Sequence, residues 1–123
     1  MASRIFLLLS AALWLPYGIY CLWVPHSLAE AAGVAATSAT GTTELRAMYG
    51  GLQIAVGLLA LAGALRASLR RTALVAIGAL TLGLGSARLL GVLLDGGFSQ
   101  YTGLGLAFEW TSALLCRWLL RGR

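Results

Sequence analysis

The sequence predicts an all-α protein, a transmembrane four-helix bundle in which residues 1–123 form a single membrane domain. Three observations carry that expectation. Four apolar runs each approach the ~20 residues that a spanning helix needs. Of the 123 residues, 59% are hydrophobic and 11% charged, against about 25% charged in a soluble domain, so polar groups are too few to cover a water-soluble globule. The charges also change sign from one end of the runs to the other.

The first run, roughly 5–24, reads "IFLLLSAALWLPYGIYCLWV". Arg4, this core and "AEA" at 29–31 loosely fit a secretory signal. The run is longer than a usual signal core and carries Trp14, Pro16, Tyr17, Tyr20 and Trp23, so we read it as a retained helix. Pro16 is expected to bend it, because proline lacks a backbone donor and crowds the preceding turn. Pro25 ends it, and residues 26–43 are small and polar, forming a short interfacial helix and a loop. The second run, roughly 45–65, is capped by Thr42 or Thr43. The third runs from about 72 to 94 and the fourth from about 102 to 120, joined by the turn "DGGFSQY", where Gly96 and Gly97 permit a tight reversal.

Arg4, Arg66, Arg70, Arg71, Arg121 and Arg123 fall on one side of these four runs; Glu30, Glu44 and Asp95 fall on the other. The positive-inside rule then places both termini in the cytoplasm, with the chain a multi-pass protein whose main partner is the lipid bilayer. The net charge of +5 does not indicate nucleic acid, because the arginines cap apolar runs and make no basic face interleaved with aromatics. Cys21 and Cys116 lie inside apolar runs and read as small buried hydrophobes rather than a disulfide framework. A single histidine, His26, excludes a multi-histidine metal site, and no cofactor is implied.

The informative residues are the polar ones inside the runs. At ~1.5 Å per residue, Gln53 lies roughly 12 Å below the outer end of the second run, with Arg46 near the surface and Tyr49 about one turn in. Arg46 and Gln53, seven apart, share a face, and Gly50 and Gly57 are expected to leave room beside it. Thr81, Arg88 and Asp95 form a second stripe of the same spacing. Glu109 sits roughly 12 Å into the fourth run, and Tyr17, with Trp14 and Cys21, reaches a similar depth in the first. An ionised group at mid-membrane costs roughly 2.5–3.5 kcal/mol, so Arg88 and Glu109, at one depth on different helices, should meet. Arg46 then has Asp95 or Glu44. Three acids against two bases leave one carboxyl unpaired, wetted or protonated, or awaiting a cationic ligand. Gly83, Ala87 and Gly91, at four-residue spacing, favour close helix packing within the bundle or between protomers of a homo-oligomer.

The stretch Glu44-Leu45-Arg46-Ala47-Met48-Tyr49-Gly50-Gly51, continued by Gln53, Arg88, Asp95-Gly96 and Glu109, resembles a family of small bacterial four-helix membrane proteins defined only as a domain of unknown function. The resemblance covers nearly the whole chain. It implies a four-helix inner-membrane protein and no particular reaction.

Three function classes follow. The first is a site for a lipophilic small molecule with a polar head in the outer half of the bundle. Glu109 is its candidate acid or base, Arg88 the charge partner, and Tyr17, Glu44, Arg46, Tyr49, Gln53 and Asp95 the binding groups. The second is a non-enzymatic accessory or assembly protein whose polar cluster fixes helix register. The third, a transporter or channel protomer, lacks an internal repeat and an aqueous stripe across both leaflets.

Overall fold

A computed structural model of the chain describes residues 1–122. Arg123, one of the arginines expected at the inner ends, lies outside the described residues. All regular structure among the described residues is helical: α1 (Ala2–Trp23), α2 (Ser27–Ala32), α3 (Ala39–Leu45), a π-helical turn (Arg46–Gly51), α4 (Leu52–Leu65), α5 (Ala67–Asp95) and α6 (Gln100–Arg121). They make two compact units, Met1–Arg70 and Arg71–Arg123.

Among the described residues, three helical stretches are long and apolar enough to cross a membrane: Ala2–Trp23, Ala39–Leu65 and Ala67–Asp95. The fourth expected span, α6, is 22 residues long but not among them, because Glu109, Arg117 and Arg121 make its composition more polar. The distribution of polarity supports a lipid environment. Ser3, Ser10, Thr81, Glu109 and Ser112 are buried, while Leu9, Leu58, Leu82 and Leu114 lie outside. A water-soluble fold would place these groups the other way round.

Helix boundaries depart from the sequence reading where side chains compete for backbone groups. The second long helix starts at Ala39, not near 45. Ser38, not Thr42 or Thr43, is its N-cap: its extended backbone frees the hydroxyl to accept from Gly41 N–H at 3.0 Å. Thr42 and Thr43 lie inside the helix, their hydroxyls donating to the carbonyls of Ser38 and Ala39. The α4–α5 connection is one residue, Arg66, and α5 begins five residues before the expected 72. Arg70 folds back from the first turn of α5 and donates to the Gly63 and Ala64 carbonyls, both at 3.2 Å. These carbonyls end α4 and have few helical donors, so the arginine substitutes for a longer loop. Pro16 does not interrupt α1, which is one helix from Ala2 to Trp23. At the other hairpin, Gly96 adopts φ +67 beyond α5, and Ser99 caps α6 by accepting from Thr102 N–H.

In the first unit α1 lies antiparallel against the π turn and α4, at backbone contact. A Cβ on Gly18 would fall 2.8 Å from Ile54 N and 2.9 Å from Gly50 O; one on Gly50 would fall 2.8 Å from Leu22 Cα; one on Gly57 would fall 2.6 Å from Leu15 Cγ. The expectation that Gly50 and Gly57 clear space beside Gln53 is therefore corrected. Both positions are filled by α1, and the missing side chains serve close approach, as small residues do between membrane helices. In the second unit Gly78 meets Cys116 and Gly85 meets Trp110 and Glu109. A Cβ on Gly83 or Gly91 would meet nothing within 4 Å among the described residues, so this helix contact is made by Gly78 and Gly85 and not by the Gly83–Ala87–Gly91 stripe.

Candidate functional site

Each unit carries a polar arrangement of its own. In the second unit, α5 carries Arg88 and α6 carries Glu109, and the two meet. Arg88 Nη2 donates to Glu109 Oε1 at 2.7 Å, and Nε donates to Oε2 at 3.0 Å and to Oε1 at 3.2 Å. The fork engages both carboxylate oxygens, the strongest form of this pairing. The burial is unequal: the Glu109 side chain is 4% exposed and that of Arg88 28%.

The register of α6 explains how the pair is held. Tyr101, Gly105 and Glu109 follow one another at four-residue spacing and so lie along one face. Arg88 extends over that face. Its Cζ is 5.8 Å from the centre of the Tyr101 ring, within cation–π range. A Cβ on Gly105 would lie 2.9 Å from Arg88 Nε and 3.0 Å from Cζ. Gly105 is thus the floor on which the guanidinium lies, between an aromatic ring and a carboxylate. Sequence reasoning missed Tyr101 as a member of this group, although its spacing from Glu109, with glycine midway, is the signal that finds it. Asp95 is exposed at the end of α5, one position before the left-handed Gly96.

In the first unit the π turn organises the polar groups. Leu52 N–H donates to Ala47 O, five residues back. When a helix returns from this spacing to the ordinary four, one carbonyl is passed over. Here that carbonyl is Met48 O, and Gln53 Nε2 donates to it at 3.2 Å. An amide deep inside a long apolar helix thus has a local structural use. Its other end is buried and unsatisfied: Gln53 Oε1 has no hydrogen-bond partner among the described residues. Arg46, at the start of the same turn, donates through Nη1 to the Leu22 carbonyl in the last turn of α1. Within this unit it corrects the expectation that Arg46 pairs with Glu44. The last carbonyls of α1 lack helical donors and offer Arg46 an acceptor, and Glu44 occupies an exposed position of α3. Tyr49 is half-buried in the π turn, Trp14 is buried in α1, and Tyr17 is 36% exposed.

This arrangement yields a first expected result. Gln53→Leu removes the donor to Met48 O but also the unsatisfied Oε1, so its net cost should be small, within the ~0.5–1.5 kcal/mol of a typical intramolecular hydrogen bond. Hydrogen exchange should nonetheless quicken across residues 46–53, where the π turn loses its side-chain clamp. Unchanged exchange there would show that the amide does not hold the turn.

Comparison with known proteins adds one relationship. Searches of the curated proteins and of the solved structures each found no match. The family described as Domain of unknown function (DUF4345) matches residues 2–120, nearly the whole chain and every polar residue of the two arrangements, and the protein therefore belongs to that family.

Proposed function

We propose that the protein is a four-span integral membrane protein of the bacterial inner membrane, with both termini cytoplasmic, and that its α5–α6 hairpin binds a lipophilic molecule through a polar head. The observation that carries this reading is the Arg88–Glu109 fork, flanked by Tyr101 and floored by Gly105. Buried ion pairs stabilise folds poorly compared with apolar packing, so a fork of this kind on membrane helices has a functional use by default. The same fork supports α6 as the fourth span. Glu109 counts against α6 by composition, but a neutralised pair is cheaper in lipid than a lone carboxylate. Arg117 and Arg121, in the last turns, can extend to the interface. Glu109 is the proposed acid–base group should the bound molecule be transformed, with Arg88 as its charge partner.

The test is lipid and quinone extraction of the purified protein followed by mass spectrometry. Wild type should carry a defined lipophilic molecule in near-stoichiometric amount, and Gly105→Leu, which displaces Arg88 without removing either charge, should lose it. A wild-type extract containing only bulk lipid would overturn the binding reading. The topology has its own test. Ser38→Cys should be labelled by an impermeant thiol reagent on intact cells, and Ser68→Cys only after permeabilisation; the opposite pattern would invert the orientation.

A second reading, an accessory or assembly protein, is favoured by the first unit. Arg46 and Gln53 both serve backbone carbonyls there, which is the behaviour of polar groups that fix helix register.

A further inference from the structure

We propose that the arginine end of the first unit is a binding surface for an anionic phospholipid, with Arg4 and Arg66 as the headgroup ligands. The inference rests on the reading that the chain spans a membrane, and it concerns a different part of the protein from the Arg88–Glu109 fork. The antiparallel register that sets Leu15 against Gly57 and Leu22 against Gly50 carries Arg4 to the level of the α4–α5 connection. Arg4, Arg66 and Arg70 therefore share one end of the unit, while its acids, Glu30 and Glu44, belong to the segments at the other end.

The three arginines are not equivalent. Arg70 is half-buried and committed to the Gly63 and Ala64 carbonyls. Arg4 and Arg66 are exposed, and no acid of this unit stands near them in sequence or at their level. Arg66 is held in an extended conformation, φ −112 and ψ 117, as the one residue between two helices, so its backbone is anchored at this end of the unit by a short connection. Apolar surface continues directly from both residues toward the membrane interior. Ile5, Leu8 and Leu9 follow Arg4 on the outside of α1, and Leu65 and Leu58 precede Arg66 on the outside of α4. Each arginine thus stands at the end of an outward apolar face of its own helix, a cation over apolar surface that is complementary to an anionic headgroup with acyl chains beneath it. A free phosphate would use the cation and leave the apolar face without a role, so the commitment is to lipid.

The experiment uses the full chain in nanodiscs made from phosphatidylethanolamine and phosphatidylglycerol, followed by native mass spectrometry of the retained lipids. Wild type should retain phosphatidylglycerol over phosphatidylethanolamine, with enrichment of about fivefold for each exposed arginine. Arg4→Gln combined with Arg66→Gln should abolish the enrichment. Arg4→Lys combined with Arg66→Lys should keep it, because the charge remains; this pair separates lost binding from lost folding. Arg70→Gln should lower the melting temperature and leave the enrichment in place. Enrichment that survives the double glutamine variant, or that is absent from wild type assembled in the discs, overturns the inference alone. Displacement of the lipid by inorganic phosphate would overturn the choice of lipid. A chain that fails to enter discs at all would instead defeat the membrane reading beneath it.

Discussion

Glu109→Ala is expected to destabilise the protein by roughly 3–5 kcal/mol, the cost of leaving one member of a buried pair without its partner. Arg88 would keep its charge and its place over Gly105 and Tyr101, but lose both oxygens that hold Nε and Nη2. Arg88→Ala should cost a similar amount or more, because the carboxylate left behind is the deeper member, 4% exposed against 28%. The double variant should lose far less than the two singles together, since neither charge is then orphaned. Denaturant unfolding in detergent measures all three. Additive losses would mean that the two side chains do not act as a pair.

Gly18→Ala is expected to have the second large effect, in the other unit and by another mechanism. The new methyl group would lie 2.8 Å from Ile54 N and 2.9 Å from both Gln53 Cβ and Gly50 O. Two of these three atoms are backbone, so no rotamer change relieves the contact and α1 must move off the π turn. Overpacking of this kind typically costs about 1–3 kcal/mol, and the high end applies where the obstacle is main chain. Gly57→Ala should be milder, because only one of its three nearest atoms, Leu15 N at 3.0 Å, is backbone, and the other two, Cγ and Cδ2, move with the Leu15 rotamer. A melting-temperature series in one detergent would rank the two. Equal or reversed losses would argue against backbone contact at Gly18.

How much of this is legible in the sequence differs between the two units. Arg88 and Glu109 can be paired from sequence, because depth follows from helical rise and the cost of a lone charge in lipid does the rest. The same logic fails for Arg46. It weighs only side-chain partners, whereas the carbonyls at the end of α1 offer an unsatisfied acceptor that composition does not display. Gln53 stands out in the sequence, but the cause of its placement does not. Its donor serves a carbonyl orphaned by a π turn, and i→i−5 spacing leaves no mark in hydrophobic periodicity. Glycines are recognisable as close-packing residues, but which ones meet a neighbour depends on rotation about the helix axis. Gly78 and Gly85 face α6, and Gly83 does not. Tyr101 is passed over because it belongs to the turn "DGGFSQY" in the sequence, and its place over Arg88 follows only from the four-residue spacing Tyr101–Gly105–Glu109 along α6.

The π turn at Arg46–Gly51 also bears on how relatives of this protein can differ in length. Removing one residue from an ordinary helix turns everything beyond it by roughly 100° and strips a buried face of its partners. A π turn holds a surplus residue locally, so the loss of one position between 46 and 51 can be absorbed by tightening to ordinary spacing, with α4 keeping its phase against α1. The same deletion between 52 and 65 has no such reserve. Gapped alignments of this family should therefore place single-residue length changes inside "RAMYGG". A homologue that carries one should also have released the amide at the position of Gln53 from its duty to a stranded carbonyl.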